Sequence, residues 1–263
     1  MIRKIFLFSI GLLLICQCAV ILNAQNNNWA RETAVLTTPG RIEKGLFEPL
    51  YYGLSDRFEL SSYVLADVLI PNLSLKWAHP VSNSFTLVSV HGFNFPTPLL
   101  RVLARKGIGG IISPEFSIPA MIGLYNGVIL SKSLPANQIV SLKAGINLGL
   151  KGGELDDRTI IDLPLVYPRL MPFYHDYGFR MGGDYRKQIG PKISLLLDCD
   201  VFMFPGANDG FTFENKTLLF WHPSDRTQFS IGYKLVYGQY PFGSQWHLLC
   251  PVFDIQRAWQ IKK

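Results

Sequence analysis

The chain has 263 residues, 48% of them hydrophobic and 17% charged, with 25 Lys plus Arg against 19 Asp plus Glu. The basic excess is small and forms no run, which excludes a nucleic-acid-binding surface. The length admits one all-β unit or two smaller domains, and no linker, low-complexity tract or shift of composition divides it.

Residues 1–24 read as a cleaved signal peptide. Arg3 and Lys4 precede an apolar run over 5–15, a weaker stretch follows through Leu22, and Ala24 stands ahead of Gln25-Asn26-Asn27-Asn28. An uncleaved membrane anchor is the alternative, against which Gln17 and the abrupt polar exit both count. A lipoprotein leader is a poorer fit, since neither Cys16 nor Cys18 follows a small residue. Without the leader the basic count falls by two, 25 − 2 = 23 against 19, a net charge of +4. Cys199 and Cys250 then remain, and nothing in the sequence brings them together, so two unpaired cysteines are expected. Residues 25–44 form an N-terminal extension ahead of a domain over 45–263.

Along that domain no segment carries apolar residues at helical spacing over any length. What recurs is a stretch of alternating character closed by turn residues. A first strand is expected over 47–54, then Ser55-Asp56 as a turn. Phe58, Leu60, Val64 and Ala66 oppose Glu59, Ser61 and Asp67, and Leu73, Leu75 and Trp77 oppose Ser74 and Lys76. Strands over 85–93 and 120–132 flank a long connection, 94–119, in which residues 98–106 read as a short amphipathic helix. The clearest strand spans 138–150: Val140, Leu142, Ala144, Ile146, Leu148 and Leu150 share one face, and Ser141, Lys143, Gly145, Asn147 and Gly149 the other. After a second long connection, 151–172, Tyr177, Phe179, Met181 and Tyr185 oppose Asp176, Arg180, Asp184 and Arg186. Over 192–204 the polar face with Ser194, Asp198 and Asp200 also holds Leu196, Phe202 and Phe204, an imperfect alternation. Phe211, Phe213, Leu219 and Trp221 then oppose Glu214 and Lys216. Phe229, Ile231, Tyr233, Leu235 and Tyr237 oppose Gln228, Ser230, Gly232 and Lys234, and a last strand is expected over 246–259.

These segments run longer than the five or six residues usual in soluble sheets and match the roughly nine to eleven of a tilted membrane-spanning strand. A sheet in hydrocarbon must close on itself to satisfy its backbone. The expected fold is therefore all-β: a closed antiparallel transmembrane β-barrel of about 10–12 strands, with short periplasmic turns and longer outer loops. Trp77 and Trp221 each stand shortly before a His-Pro pair, as interfacial aromatics at strand ends on one rim.

Residues 45–80, GLFEPLYYGLSDRFELSSYVLADVLIPNLSLKWAHP, carry an aromatic-Gly-Leu-Ser-Asp-Arg turn leading into a Pro-Asn-Leu strand with a lysine. On these residues the chain resembles uncharacterised outer-membrane β-barrel, porin-like proteins of Gram-negative bacteria. The resemblance implies a porin-style wall with no assigned activity. One departure is the end of the chain, Trp259-Gln260-Ile261-Lys262-Lys263, which lacks the terminal aromatic of many such barrels and leaves the closing strand open.

No catalytic constellation stands out. His175-Asp176 beside Tyr174, and Asp198 with Asp200 on one strand face, are weighed as a base and a cation site. The better account is a polar network inside the barrel, in which Lys143, Arg180, Arg186, Lys216 and Lys234 balance Asp176, Asp184, Asp198, Asp200 and Glu214. No cofactor or metal is expected. The function expected is a non-enzymatic outer-membrane barrel: a narrow pore, a small-solute or lipid passage, or an envelope scaffold, with outer-membrane lipid, the barrel-assembly machinery and a small solute or lipid as partners. The alternatives are an outer-membrane enzyme acting on lipid or lipopolysaccharide, with His175 and His222 as the obvious candidates, and a soluble periplasmic lipid-binding barrel with its apolar faces turned inward.

Overall fold

The computed structural model describes residue 29 and residues 32–81, 84–107, 111–207, 210–240 and 243–261. The leader, its cleavage point and residues 25–28 lie outside the described residues. Among the described residues twelve strands make one closed antiparallel barrel, each pairing with its sequence neighbours and the last with the first. They are β1 (Arg41–Gly45), β2 (Leu50–Gly53), β3 (Phe58–Ser62), β4 (Asn72–His79), β5 (Phe85–Asn94), β6 (Met121–Leu134), β7 (Gln138–Lys151), β8 (Tyr177–Gly190), β9 (Ile193–Met203), β10 (Phe211–Ser224), β11 (Thr227–Tyr240) and β12 (Gly243–Gln260). Two short helices, α1 (Thr97–Leu103) and α2 (Tyr167–His175), lie in the connections between β5 and β6 and between β7 and β8. The closing strand is β12, whose Gln256–Gln260 pair with β1.

Antiparallel order sorts the connections. The tight turns β2–β3, β4–β5, β6–β7, β8–β9 and β10–β11 share one rim with the start of β1 and the end of β12. The long connections after β5 and β7 lie at the opposite rim, called the loop rim below.

The pleat decides which side chains go outward. Leu142 and Ile231 are 64% and 55% exposed while Lys143 between its apolar neighbours is 6% exposed. Lysine is buried and leucine is open, the reverse of a water-soluble fold. Trp77 stacks on Phe58 and Trp221 on Phe229, both pairs on the outer surface near the turn rim.

Three features depart from the sequence expectation. The barrel begins at Arg41, not residue 45, because Arg41 and Glu43 face inward around Ile42 and pair with β12. The strand expected to run from Phe58 to Asp67 ends at Ser62; Ser62 stands where the apolar alternation required a hydrophobe, and its hydroxyl bonds the Asp67 carboxylate, closing a turn instead. The strand over 47–54 shortens to four residues. One further irregularity lies in β12, where a bulge opposite Gly232 to Lys234 adds a residue. Below it Asp254, Gln256 and Ala258 face inward; above it the pairing of His247 with Val236 and Leu249 with Lys234 turns the odd positions inward.

Candidate functional site: the ion-paired lumen and the segments that narrow it

The inward residues of β7 to β11 meet at one level of the barrel because strand register aligns them. Asp184 sits opposite Asp198, Asp198 opposite Lys216, and Asp200 opposite Glu214. Lys143 Nζ reaches Asp198 Oδ1 at 2.7 Å, Asp184 Oδ1 at 2.9 Å and Asp200 Oδ1 at 3.2 Å. Arg180 Nη2 holds Asp200 Oδ2 at 2.6 Å, and Lys234 Nζ holds Glu214 Oε2 at 2.6 Å. A single cation surrounded by three carboxylates at this depth relieves like-charge repulsion that the wall could not otherwise sustain. Gly182 is required here, because a Cβ at that position would run into the Asp200 carboxylate.

Of the residues expected in the polar network, Lys143, Arg180, Asp184, Asp198, Asp200, Glu214, Lys216 and Lys234 are placed in this lumen. Arg186 faces inward nearer the turn rim, its guanidinium 5.1 Å from the Phe220 ring centroid. Asp176 is not among them. It caps α2 at the loop rim, largely exposed, with Lys151 Nζ at 3.3 Å. Its neighbour Tyr174 donates to or accepts from Thr159 Oγ1 at 2.9 Å, and burial pushes the Tyr174 phenol up to about 12. Asp176 thus turns to Lys151. The Asp198 and Asp200 oxygens are likewise taken by lysine and arginine. Ser194 Oγ and His222 Nε2 lie 2.9 Å apart on the lumen side near the turn rim.

Two inward segments were not anticipated from the sequence. The first is the N-terminal extension. Residues 32–38 lie inside the turn-rim half of the barrel, bonded to its wall: Ala34 N donates to Ser131 Oγ at 2.7 Å, Thr37 N to Glu59 Oε2 at 2.7 Å, and Lys76 Nζ to the Thr33 carbonyl at 3.2 Å. Ala34 packs against Val88 and Ile129, an apolar spot on an otherwise polar interior. Glu32 crosses to the far wall, where Lys216 Nζ sits 2.6 Å from its Oε1. That ammonium holds the Glu32 carboxyl well below the usual carboxylate range, against the opposing effect of burial.

The second is α2, which enters from the loop rim. Tyr167 and Met171 pack on Phe202, Phe204 and Tyr240, all inward residues of the wall or its end. Arg169 grips Glu214 with both terminal nitrogens, at 2.7 and 3.1 Å. The helix can lie this close because Gly149 leaves its space to the Pro172 carbonyl and the Phe173 amide. Above it, Leu100, Ile112, Ile118, Ile161, Leu170 and Phe173 make a small core joining the two long connections.

The residues that spoiled the alternation of β9 thus have a use. Phe202 and Phe204 are the seat of α2, and Leu196 joins Leu218 and Phe220 in an apolar layer at the turn rim. On the β8–β10 side of the lumen the ion pairs thus lie between two apolar clusters, one toward each rim. The signals available in the sequence were the misplaced Leu196, Phe202 and Phe204, and Gly149 on an inward face. No comparable signal marked residues 32–38.

No protein-family model matches the chain, and no curated relative does. Among solved structures, an outer membrane channel of the COG4313 type from Pseudomonas putida F1 is 12% identical, with 90% of this chain and 98% of that one covered and a TM-score of 0.49. OprB of Pseudomonas putida is also 12% identical, over 80% of this chain and 58% of that one, with a TM-score of 0.38. At these scores the likeness adds nothing to what the hydrogen bonds of the sheet already establish.

Proposed function

We propose that this chain is a non-enzymatic β-barrel of the Gram-negative outer membrane, acting as a narrow, charge-lined passage for small solutes. The observation that carries the reading is the orientation of the wall, with leucines and isoleucines open on the outside and ion pairs enclosed. Fourteen-residue strands such as β7 stand about 35 Å tall at ordinary rise and tilt, enough for the roughly 25 Å apolar band of an outer-membrane barrel. The turn rim then faces the periplasm and the loop rim the exterior. A soluble lipid-binding barrel would need the opposite orientation. An enzyme working on lipid would need its nucleophile open to the membrane, whereas Ser194 of the Ser194–His222 pair is buried on the lumen side.

Residues 32–38 and α2 enter the lumen from opposite rims, so the passage is constricted by parts that are separate from the wall. The purified full chain in planar bilayers is expected to give small steps with weak ion preference, because cations and carboxylates alternate along the path. Removing residues 29–38 is expected to raise the conductance several-fold while the barrel keeps its heat-modifiable migration, since the wall starts at Arg41. Large steps from the intact chain, unchanged by the deletion, would contradict a narrow passage, and recovery of the protein in a periplasmic wash would contradict the membrane placement.

A further inference from the structure

The outer surface of the wall sorts charge by sign. Every carboxylate that stands on a described strand, from Glu43 on β1 to Asp254 on β12, is buried on the lumen side. The charged side chains that face outward from the described strands are Lys44, Lys132, Lys187 and Arg257, all of them cations. Register puts the four at one end of the barrel. Lys132 pairs with Phe85, Lys187 with Gln138 and Arg257 with Thr227, the first residues of β5, β7 and β11, and Lys44 pairs with Arg257. Each of those three strands starts at the turn rim.

The tight turns add to this collar. Arg57, Lys192 and Arg226 are exposed there, against Asp56 and Asp225. At the loop rim the signs are mixed, with Arg101, Arg105 and Lys106 in one long connection and Glu154, Asp156 and Asp157 in the other. No run of basic residues announces the collar, because its members come from separate strands and turns and only closure brings them to one level.

One pair within it is set at a cost. Lys44 and Arg257 are exposed and directly opposed on adjacent strands, an arrangement that is destabilising for like charges. Among the described residues neither has a carboxylate partner. Their surroundings are apolar: Ile255 and Trp259, on either side of Arg257 along the same outward face, are 47% and 43% exposed. Lys132 stands at a similar boundary, its ammonium 5.1 Å from the Phe85 ring centroid. Cations at the edge of a hydrocarbon band reach for the anionic groups of the membrane surface.

We infer that Lys44 and Arg257 hold the phosphate of an anionic phospholipid in the periplasmic leaflet. The phosphate lies between the ammonium and the guanidinium, whose planar fork suits its oxygens, and it removes their mutual repulsion. An acyl chain runs from there along Ile255, Phe253 and Ile231, all exposed on the outer face of β11 and β12. Net charge selects the class of lipid. Phosphatidylglycerol carries an anionic headgroup, whereas a zwitterionic headgroup brings an ammonium that the collar repels. The inference rests on the membrane placement proposed above and adds a lipid class and a leaflet.

The test uses the full chain in non-ionic micelles, with its fold checked by unboiled gel migration and its insertion by flotation with phosphatidylcholine vesicles. A folded chain that does not float would sink the membrane placement itself, and is read separately from the lipid preference. Binding of phosphatidylglycerol and of phosphatidylcholine is then compared by native mass spectrometry. Phosphatidylglycerol is expected to bind about 25-fold more tightly, roughly fivefold for each of the two cations, and the preference is expected to shrink with added salt. Lys44→Gln with Arg257→Gln is expected to abolish the preference. Arg105→Gln with Lys106→Gln, which removes the same charge from exposed positions at the loop rim, is expected to keep it. Equal binding of the two lipids by the parent protein, or equal losses in the two variants, would overturn the site. So would inorganic phosphate that displaces phosphatidylglycerol as well as the free lipid does. Tighter binding of lipid A than of phosphatidylglycerol at Lys44 and Arg257 would overturn the leaflet.

Discussion

The barrel has two unlike sides, and each solves the problem of enclosing polar groups differently. From β6 to β11 five of the strands are 14 residues long, with β9 at 11, and the interior is filled by the wall's own ion pairs and by α2. From β1 to β4 the strands are four to eight residues long, and the interior is filled by a separate piece of chain, residues 33–38. The tall side holds a fixed electrostatic layer; the low side holds a removable lining beneath an incomplete wall. Polar filling that belongs to the wall cannot move without breaking the sheet. Filling that enters from a terminus can.

The comparison is tested most severely by removing the central cation of the tall side. Lys143→Ala leaves Asp184, Asp198 and Asp200 facing one another with the lysine side chain, 4% exposed, gone. Loss of one partner from a buried ionic cluster costs about 3–5 kcal/mol, to be read as a lower denaturant midpoint in micelles. On the low side Lys76 faces the Glu59 carboxylate at 3.3 Å beside a segment separate from the wall, and a smaller loss is expected from Lys76→Ala. Equal losses would mean that the two sides are not energetically distinct.

A second comparison uses the outer surface. Ile146 lies mid-strand on the outward face of β7, where arginine costs about 2–4 kcal/mol against the lipid midplane. Leu65 stands off the wall on the connection 63–71 at the loop rim, 64% exposed, and near an interface the cost falls to about 0–1 kcal/mol. Measured in the same bilayer, the Ile146→Arg loss is expected to exceed the Leu65→Arg loss clearly. The reverse order would place residues 63–71 in hydrocarbon.

How much of this was legible in the sequence follows the same division. The tall side was readable because two-residue periodicity is a local property: Val140 to Leu150, and Phe229 to Tyr237, announce which face meets what without any knowledge of neighbours. The register that gathers Lys143, Asp184, Asp198 and Asp200 at one level was not announced, but the residues were, since each stood alone on an apolar-patterned strand. Asp176 was misplaced because alternation was extended one residue past the start of β8, into a helix cap. The low side was largely illegible. Five-residue strands give too few alternations to stand out, and Ser62, a polar residue on the apolar side of β3 between Leu60 and Val64, is a single break that a longer pattern passes over. The bulge in β12 reverses the inward face within one strand, which no periodic reading anticipates. Residues 32–38 gave no signal because their partners, Glu59, Lys76, Ser131 and Lys216, lie on four different strands, and only the closed barrel brings those to one place.

The smallest expected effect lies where the two sides meet, at Glu32 and Lys216. Glu32 ties the low-side lining to the tall-side wall through one ion pair of 2.6 Å. Because the Lys216 ammonium depresses the Glu32 carboxyl below its ordinary value, the tie is fully present above the ordinary carboxylate range and is lost only as pH falls through the depressed value. Conductance limited by the inserted segment should therefore stay level from neutral to mildly acidic pH and rise only in stronger acid. Glu32→Gln keeps the shape and removes the charge. A partly wet pair of this kind is worth about 1 kcal/mol, and Lys216 retains Asp198 at 3.6 Å when Glu32 is neutralised. The ratio of withdrawn to inserted segment should then rise roughly fivefold, seen in planar bilayers as more frequent openings at neutral pH, with the rise in stronger acid lost. An unchanged acid response in Glu32→Gln would assign it to the carboxylates of the tall side and would show that the lining is held by its bonds to Ser131, Glu59 and Lys76.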